Sequence, residues 1–275
     1  MQYALVDNKR QEATKGAQGV CPVCGAKAIA KCGPRIMHHW AHASRCDCDP
    51  WWENETAWHR QWKALFPEDC REISHVAEDG EIHRADIKTP GGIYIEVQHS
   101  PMTDAERTSR EMFYKNLVWI VDGSVFRQNF DILHILPDPA SALAQDLIWT
   151  RAKRGYEGAN NGMFYRVSSN QKYSPGITRL ELQRAGGLFE SMRTIRTEVE
   201  ELYRGHHQYS WTKPRKTWLD AACPVYIDFG DDTLVKLETY DETGLPCIRR
   251  VAKEDFLRDA KTKSSASDIA QLAYF

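Results

Sequence analysis

The sequence predicts an α/β protein built on a mixed sheet, and three stretches carry that expectation. Residues 51–66 have helical apolar spacing, with Trp58, Trp62, Leu65 and Phe66 on one face at i, i+4, i+7 and i+8. Residues 82–98 alternate like two strands around the turn signal Thr89-Pro90-Gly91-Gly92. Leu117-Val-Trp-Ile-Val121 is a continuous apolar run, the pattern of a strand buried on both faces.

In chain order, residues 3–6 read as a strand followed by a loop. Cys21-Pro-Val-Cys24-Gly25 is a zinc-knuckle signature, because Gly25 permits the tight turn that aims two sulfurs at one ion. His39-Trp40-Ala41-His42 supplies two imidazoles, which completes the set Cys21, Cys24, His39 and His42 around a structural Zn²⁺. Cys46 and Cys48 compete for the site, Cys32 can substitute, and His38 competes with His39. A thioredoxin-like redox pair is disfavoured, since no βαβ pattern surrounds the cysteines.

Asp49-Pro50 has the chemistry of an N-cap followed by a first helical residue. The helix it opens carries Glu55 in its first turn, one turn before Trp58, bordering the buried stripe. A strand at 72–76 and the hairpin follow. On the second hairpin strand Ile93, Ile95 and Val97 share one face, and Tyr94, Glu96 and Gln98 share the other. On the first, Arg84 and Asp86 lie opposite Ala85 and Ile87. Directly opposed residues point the same way, so Asp86 meets Glu96 if the loop holds an odd number of residues, as with 89–91 or 89–93.

Two carboxylates beside a polar amide form an oxygen-rich site suited to Mg²⁺ or Mn²⁺. Such an ion can make hydroxide from water and neutralise charge growing on a phosphate. The alternative is the wet face of an ordinary hairpin.

Beyond the hairpin, Thr103 and Glu106 form a capping-box pair that opens a helix to about residue 116, with Arg107, Arg110 and Tyr114 along one side. A strand at 132–136 and a short helix at 140–149 complete the core. Residues 151–176 read as loop. Residues 187–204 read as an amphipathic helix carrying Leu188, Met192, Ile195, Val199 and Leu202, with Gly205 as its stop. His206, His207, Trp211, Lys213, Arg215, Lys216 and Trp218 then mix cations with aromatics, a composition able to hold phosphates and stack bases or to form an anchored connector. Short strands at 225–229, 233–240 and 247–251 make a small β-rich unit, and the tail 261–268 reads as polar and mobile.

Composition bounds the class. The 275 residues are 42% hydrophobic and 27% charged, as in soluble globular proteins. No apolar run approaches membrane-spanning length and the N-terminus lacks a signal-peptide pattern, so a cytoplasmic location without membrane association is expected. Eight cysteines, five of them between Cys21 and Cys48, point to metal rather than a disulfide framework. Net charge is only −2, but residues 151–216 hold 13 Lys/Arg against 6 Asp/Glu. That cationic middle is either a phosphate-facing surface or solvated helix faces.

Taken together, Cys21-Pro-x-Cys24 with His39-Trp-Ala-His42, Glu55-x-x-x-His59 with Trp62-Lys63, Arg84-Ala-Asp86, Ile95-Glu96-Val-Gln98-x-Ser100, Arg110 with Tyr114, and Trp119-Ile120 resemble the competence-protein CoiA family over about residues 20–125. That family's nuclease-like domain belongs to the restriction-endonuclease-like PD-(D/E)xK superfamily. The expected organisation is an N-terminal zinc module at 1–50, a nuclease core at 51–150 and an α+β region at 151–275, with no motif covering residues 126–275. The resemblance implies that Asp86 and Glu96 hold Mg²⁺ or Mn²⁺, that Glu55 assists, and that Gln98 stands where the superfamily usually has lysine; the Val97 carbonyl is the expected further donor to the ion. A neutral amide orients water by hydrogen bonding but supplies no charge.

Lys63, Arg84 and Arg110 are the expected phosphate contacts. DNA is the expected substrate, single-stranded or branched forms included, in recombination during DNA uptake or in anti-phage defence. A binding adaptor without turnover, or a scaffold that recruits a protein partner through the C-terminal region, are the rivals. The sequence does not fix the oligomeric state, and a homodimer is compatible with it.

Overall fold

The computed structural model describes residues 1–44, 48, 55–77, 80–154 and 162–271. The protein is mixed α/β and divides into two compact units, Met1–Trp119 with Ala260–Ala266, and Ile120–Asp259 with Ser267–Phe275.

The first unit begins with a five-stranded antiparallel sheet of β1 (Tyr3–Val6), β2 (Lys9–Glu12), β3 (Gln18–Val20), β4 (Lys27–Lys31) and β5 (His39–His42), ordered β2-β1-β3-β4-β5. Its small core gathers Met1, Ala4, Ala13, Ala28 and Trp40 around Cys21. A core this small supplies little stability of its own.

Helix α1 (Ala57–Ala64) follows, capped by the Thr56 hydroxyl, which accepts from the His59 N–H at 3.3 Å. The expected Asp49-Pro50 start lies outside the described residues. The expected apolar stripe is rotated: His59, Trp62, Lys63 and Phe66 are buried, Trp58 is half-buried and Leu65 is exposed. Glu55 precedes the cap and is not displayed on the helix.

The mixed sheet of this unit is ordered β9-β8-β7-β6, with β6 (Arg71–Val76), β7 (Ile82–Lys88), β8 (Tyr94–Gln98) and β9 (Leu117–Asp122), of which the first unit holds Leu117–Trp119. Strands β6, β7 and β8 pair antiparallel. Helix α2 (Asp104–Tyr114) crosses over from β8 to β9, the connection parallel neighbours need. The Tyr94 N–H donates to the Asn116 carbonyl at 2.9 Å, joining the starts of β8 and β9. Thr103 caps α2 as expected, accepting from the Glu106 N–H at 3.2 Å. Every residue of β8 and β9 is buried, which is why β9 reads as an unbroken apolar run.

The second unit carries an antiparallel arrangement of β10 (Phe130–Pro137), β14 (Tyr203–Trp211), β17 (Pro246–Ala252), β16 (Thr233–Thr239) and β15 (Val225–Asp228), in that order. A smaller sheet pairs β11 (Leu147–Trp149), β12 (Met163–Arg166) and β13 (Phe189–Ser191). The three expected C-terminal strands are present. The expected helix at 187–204 is not: only Arg196–Glu201 is α-helical, and the chain continues directly into β14. Met192, Ile195 and Val199 still reach the core, but through a 3₁₀ turn and a short helix. Nor is the tail irregular, because Lys253–Thr262 is a helix and the Ala266 N–H donates to the Asn116 side chain at 2.8 Å. Among the described residues, no helix is long and apolar enough to cross a membrane.

Candidate functional site

The turn between β3 and β4 is shaped for a metal. Gly25 takes φ +71°, its N–H donates to the Cys21 carbonyl at 2.9 Å, and the Val23 N–H points at Cys21 Sγ at 3.4 Å. Cys21, Cys24, His42 and Cys48 bring one ligand atom each within 4.8 Å of one another. Cys24 Sγ and Cys48 Sγ each lie 3.5 Å from His42 Nε2, and Cys21 Sγ lies 3.9 Å from Cys48 Sγ. A zinc tetrahedron with bonds of about 2.3 Å to sulfur and about 2.0 Å to nitrogen has edges of about 3.8 Å and about 3.5 Å. The cluster therefore has the donors and the size to bind a metal such as zinc.

Burial and the neighbouring cysteines Cys21 and Cys24 push the Cys48 thiol well above its usual range, a repulsion that a bound cation relieves. Burial lowers the pKa of His42, favouring the neutral imidazole that coordinates metal.

The fourth ligand corrects the sequence-based set, with Cys48 standing where His39 was expected. His39 and His42 can meet on one ion only if the segment that carries them brings residues three apart to one side. In strand β5 residues three apart face opposite ways, so His42 shares a side with Trp40 while His39 turns out and places Nδ1 2.8 Å from the Met37 carbonyl. Cys32 sits 3.4 Å from the Ala13 carbonyl, His38 offers its carbonyl to Arg60, and Cys46 lies outside the described residues.

The acidic residues gather on the other sheet. Ile87 pairs with Ile95 and Lys88 with Tyr94 across a five-residue loop at 89–93, the odd register that sets Asp86 opposite Glu96. The ladder then gives way to side chains. Glu96 Oε1 accepts from the Asp86 N–H at 3.3 Å, and Asp86 Oδ2 accepts from the Val97 N–H at 3.0 Å. The second oxygen of Asp86, which is half-buried, accepts no hydrogen bond among the described residues.

A further carboxylate, unforeseen from sequence, completes the row. Glu72 falls between the Arg71–Ile87 and Ile73–Ala85 pairs, opposite Asp86, with φ +47°. That left-handed backbone costs a non-glycine residue about 1 kcal/mol and persists because the surroundings fix it. The Glu72 carboxylate accepts from the Gln2 N–H at 2.9 Å, the Tyr3 N–H at 3.3 Å and Lys63 Nζ at 2.9 Å, with Arg84 Nε at 3.9 Å. Burial opposes its ionisation, but Arg84 and Lys63 hold the carboxyl well below the usual carboxylate range.

Lys63 is 2% exposed, so it is enclosed where a phosphate contact was expected. Its ammonium pairs with Glu55 as well as Glu72. Burial pulls its pKa down, but Glu72, Asp86 and Glu55 outweigh that and keep it charged. Arg110, likewise expected at a phosphate, is 3% exposed and bridges Glu96 at 2.9 Å and Glu106 at 2.6 Å.

Glu55 does not close on the same point as Asp86 and Glu96. Its other oxygen accepts from Arg60 at 2.8 Å, and Lys63 connects it to the row. Gln98 shares the Glu96 side of β8, is 2% exposed, and donates to the Ser100 carbonyl at 3.0 Å. Among the described residues the Cys/His cluster is the sole group of three or more metal-ligating side chains that meet within 4.8 Å. The site thus combines four carboxylates (Glu55, Glu72, Asp86, Glu96) with three cations (Lys63, Arg84, Arg110).

No family model, curated protein or solved structure matches this chain. The fold and cluster define a mixed α/β protein with a metal-competent Cys/His centre. What the acidic row does rests on its own geometry.

Proposed function

We propose that the chain is a divalent-metal-dependent phosphodiesterase acting on DNA, of the restriction-endonuclease-like kind that the CoiA resemblance implies, with a structural Zn²⁺ at Cys21, Cys24, His42 and Cys48. The observation that carries this reading is the apposition of Asp86 and Glu96 across β7 and β8, where carboxylates replace ladder partners and one Asp86 oxygen stays uncommitted among the described residues.

Those two side chains and the Val97 carbonyl are all oxygen donors, the set a hard cation takes. Mg²⁺ or Mn²⁺ held there would neutralise charge developing on a phosphate and ease deprotonation of a water. Lys63 keeps a permanent positive charge beside Asp86 from helix α1, which offsets the neutral Gln98 on β8. Glu55 acts through Lys63 as a positioning residue. DNA uptake and anti-phage defence are both settings in which such an activity operates.

A second reading has its own support. Arg110 on Glu96 and Lys63 on Glu55 and Glu72 already neutralise most of the acidic charge, as suits a nucleic-acid-binding adaptor that does not turn over.

One assay separates the two. Single-stranded, duplex, branched and RNA substrates are incubated with Mg²⁺ and with Mn²⁺, using wild type and Asp86→Asn, whose amide oxygen can still accept from Val97. The proposal expects metal-dependent cleavage of at least one DNA form and a loss of 100-fold or more in the variant at unchanged Tm. Binding without cleavage under either metal favours the adaptor.

A further inference from the structure

The second unit contains a cleft of about 370 Å³, within the size range of small-molecule sites. Phe130, Ile132, Phe229 and Val235 supply its apolar lining, and Arg127 and Arg250 are exposed at it. Val235 and Arg250 are direct cross-strand partners on β16 and β17, so they project from the same side of the sheet.

Arg127 is held in place. Its Nη1 donates to the Phe229 carbonyl at 3.2 Å, and its guanidinium lies 5.3 Å from the Phe229 ring centre. Arg250 is different: among the described residues its side chain has no hydrogen-bond or ion-pair partner.

Two aspartates also border the cleft. Asp131 pairs with Arg154 at 3.3 Å, while Asp231 accepts the Thr233 N–H at 2.9 Å within its own turn. With Asp131 offset by Arg154, the guanidinium groups of Arg127 and Arg250 stand against one remaining lining carboxylate, Asp231.

Phe130 also belongs to an aromatic cluster on the same side of the sheet, since Phe130 and Ile132 are the cross-strand partners of Trp211 and Tyr209. Phe130 stacks on Tyr209 with centres 5.2 Å apart, Phe126 stacks on Trp211 at 4.7 Å, and Arg215 lies 5.2 Å over Phe126. Arg215 Nη1 and Trp211 Nε1 are buried donors with no acceptor among the described residues. An apolar slot continuous with stacked rings through Phe130 and flanked by guanidinium groups matches a ligand with a flat, weakly polar body and an anionic end.

We propose that this cleft binds a phosphorylated nucleoside, with its base against Phe130 and Phe229 and its phosphate on Arg127 and Arg250, either free or as one unit of a single strand. The residues are distinct from the acidic row, and the proposal stands without turnover there.

The test is equilibrium binding in EDTA, which removes metal-dependent cleavage from the measurement. The probes are fluorescein-labelled dT12 and dA12, followed by polarisation across a salt series, with unlabelled dTMP and dAMP as competitors. Arg250→Glu and Ile132→Glu both change exposed side chains, so folding is retained and checked by Tm. Each variant is expected to weaken binding tenfold or more, and Arg250→Glu to reduce the log–log salt slope by about 1.

Competition by the mononucleotides at millimolar concentration identifies a free nucleotide as sufficient. Binding of the 12-mers alone identifies a strand. The proposal is overturned if wild type binds none of the four probes, or if both variants bind like wild type. Cleavage that persists alongside such a failure would leave the hydrolytic reading intact, and the reverse outcome would leave the cleft intact.

Discussion

Replacing Lys63 with methionine removes a cation that touches both Glu55 and Glu72 while keeping most of the side-chain volume. At 2.9 Å from Glu72, an effective dielectric constant of about 20 gives a gross attraction of about 6 kcal/mol. Part of this is offset by the desolvation of the ammonium, and breaking buried pairs costs about 3–5 kcal/mol. Because Lys63 is 2% exposed and Glu72 8%, solvent screening offers little relief. Thermal unfolding should therefore show Tm lowered by roughly 10 °C, at about 2–4 °C per kcal/mol for a protein of this size.

The loss has a pH signature. Glu72 has a depressed pKa in the folded state, so its stabilisation is present above its ordinary value of 4.5 and fades as pH falls through the depressed one. Lys63 has a raised pKa, so its contribution is full below 10.5 and disappears only at higher pH. The difference between wild type and Lys63→Met should then be flat between about pH 5 and about pH 10 and shrink toward acid as Glu72 protonates. A double-mutant cycle with Glu72→Gln should return a coupling of at least about 1 kcal/mol. A Tm change under about 2 °C, or a pH-independent difference down to pH 3, would refute the buried-hub argument.

Two other outcomes are expected. Elemental analysis should find about one zinc per chain in wild type and in His39→Ala, and much less in Cys48→Ser; equal loss in both variants would restore His39 as a ligand. Gly91→Ala should destabilise by about 1–3 kcal/mol in chemical denaturation, since a Cβ there would sit 2.0 Å from the Lys263 carbonyl oxygen and force backbone movement.

The hairpin register was legible because strand alternation has a period of two, and only an odd loop puts Asp86 and Glu96 on one face. Thr103 was legible as a cap because its chemistry is local. Cys48 was not distinguishable from its rivals, since the choice turns on whether residues 39–42 have a helical or an extended period, and four residues carry too little pattern to decide. Tyr203–Trp211 escaped notice for a related reason. With most of both faces of β14 buried, its alternation is blurred, and the spacing of Leu188, Met192, Ile195 and Val199 imitates a helix although Leu188 is exposed. Glu72 left no trace in the sequence. Its partners Gln2 and Tyr3 lie some 70 positions away, and no residue pattern announces a left-handed glutamate.

Strand β1 is woven into the sheet of the Cys/His cluster through its pairing with β2 and β3, while the peptide groups of Tyr3 and of Gln2 just before it are the ones Glu72 grips. Trimming away the amino-terminal module would consequently strip Glu72 of its peptide donors rather than leave the acidic row intact. Grafting experiments that treat the two pieces as interchangeable parts should carry residues 1–12 along with the acceptor strand.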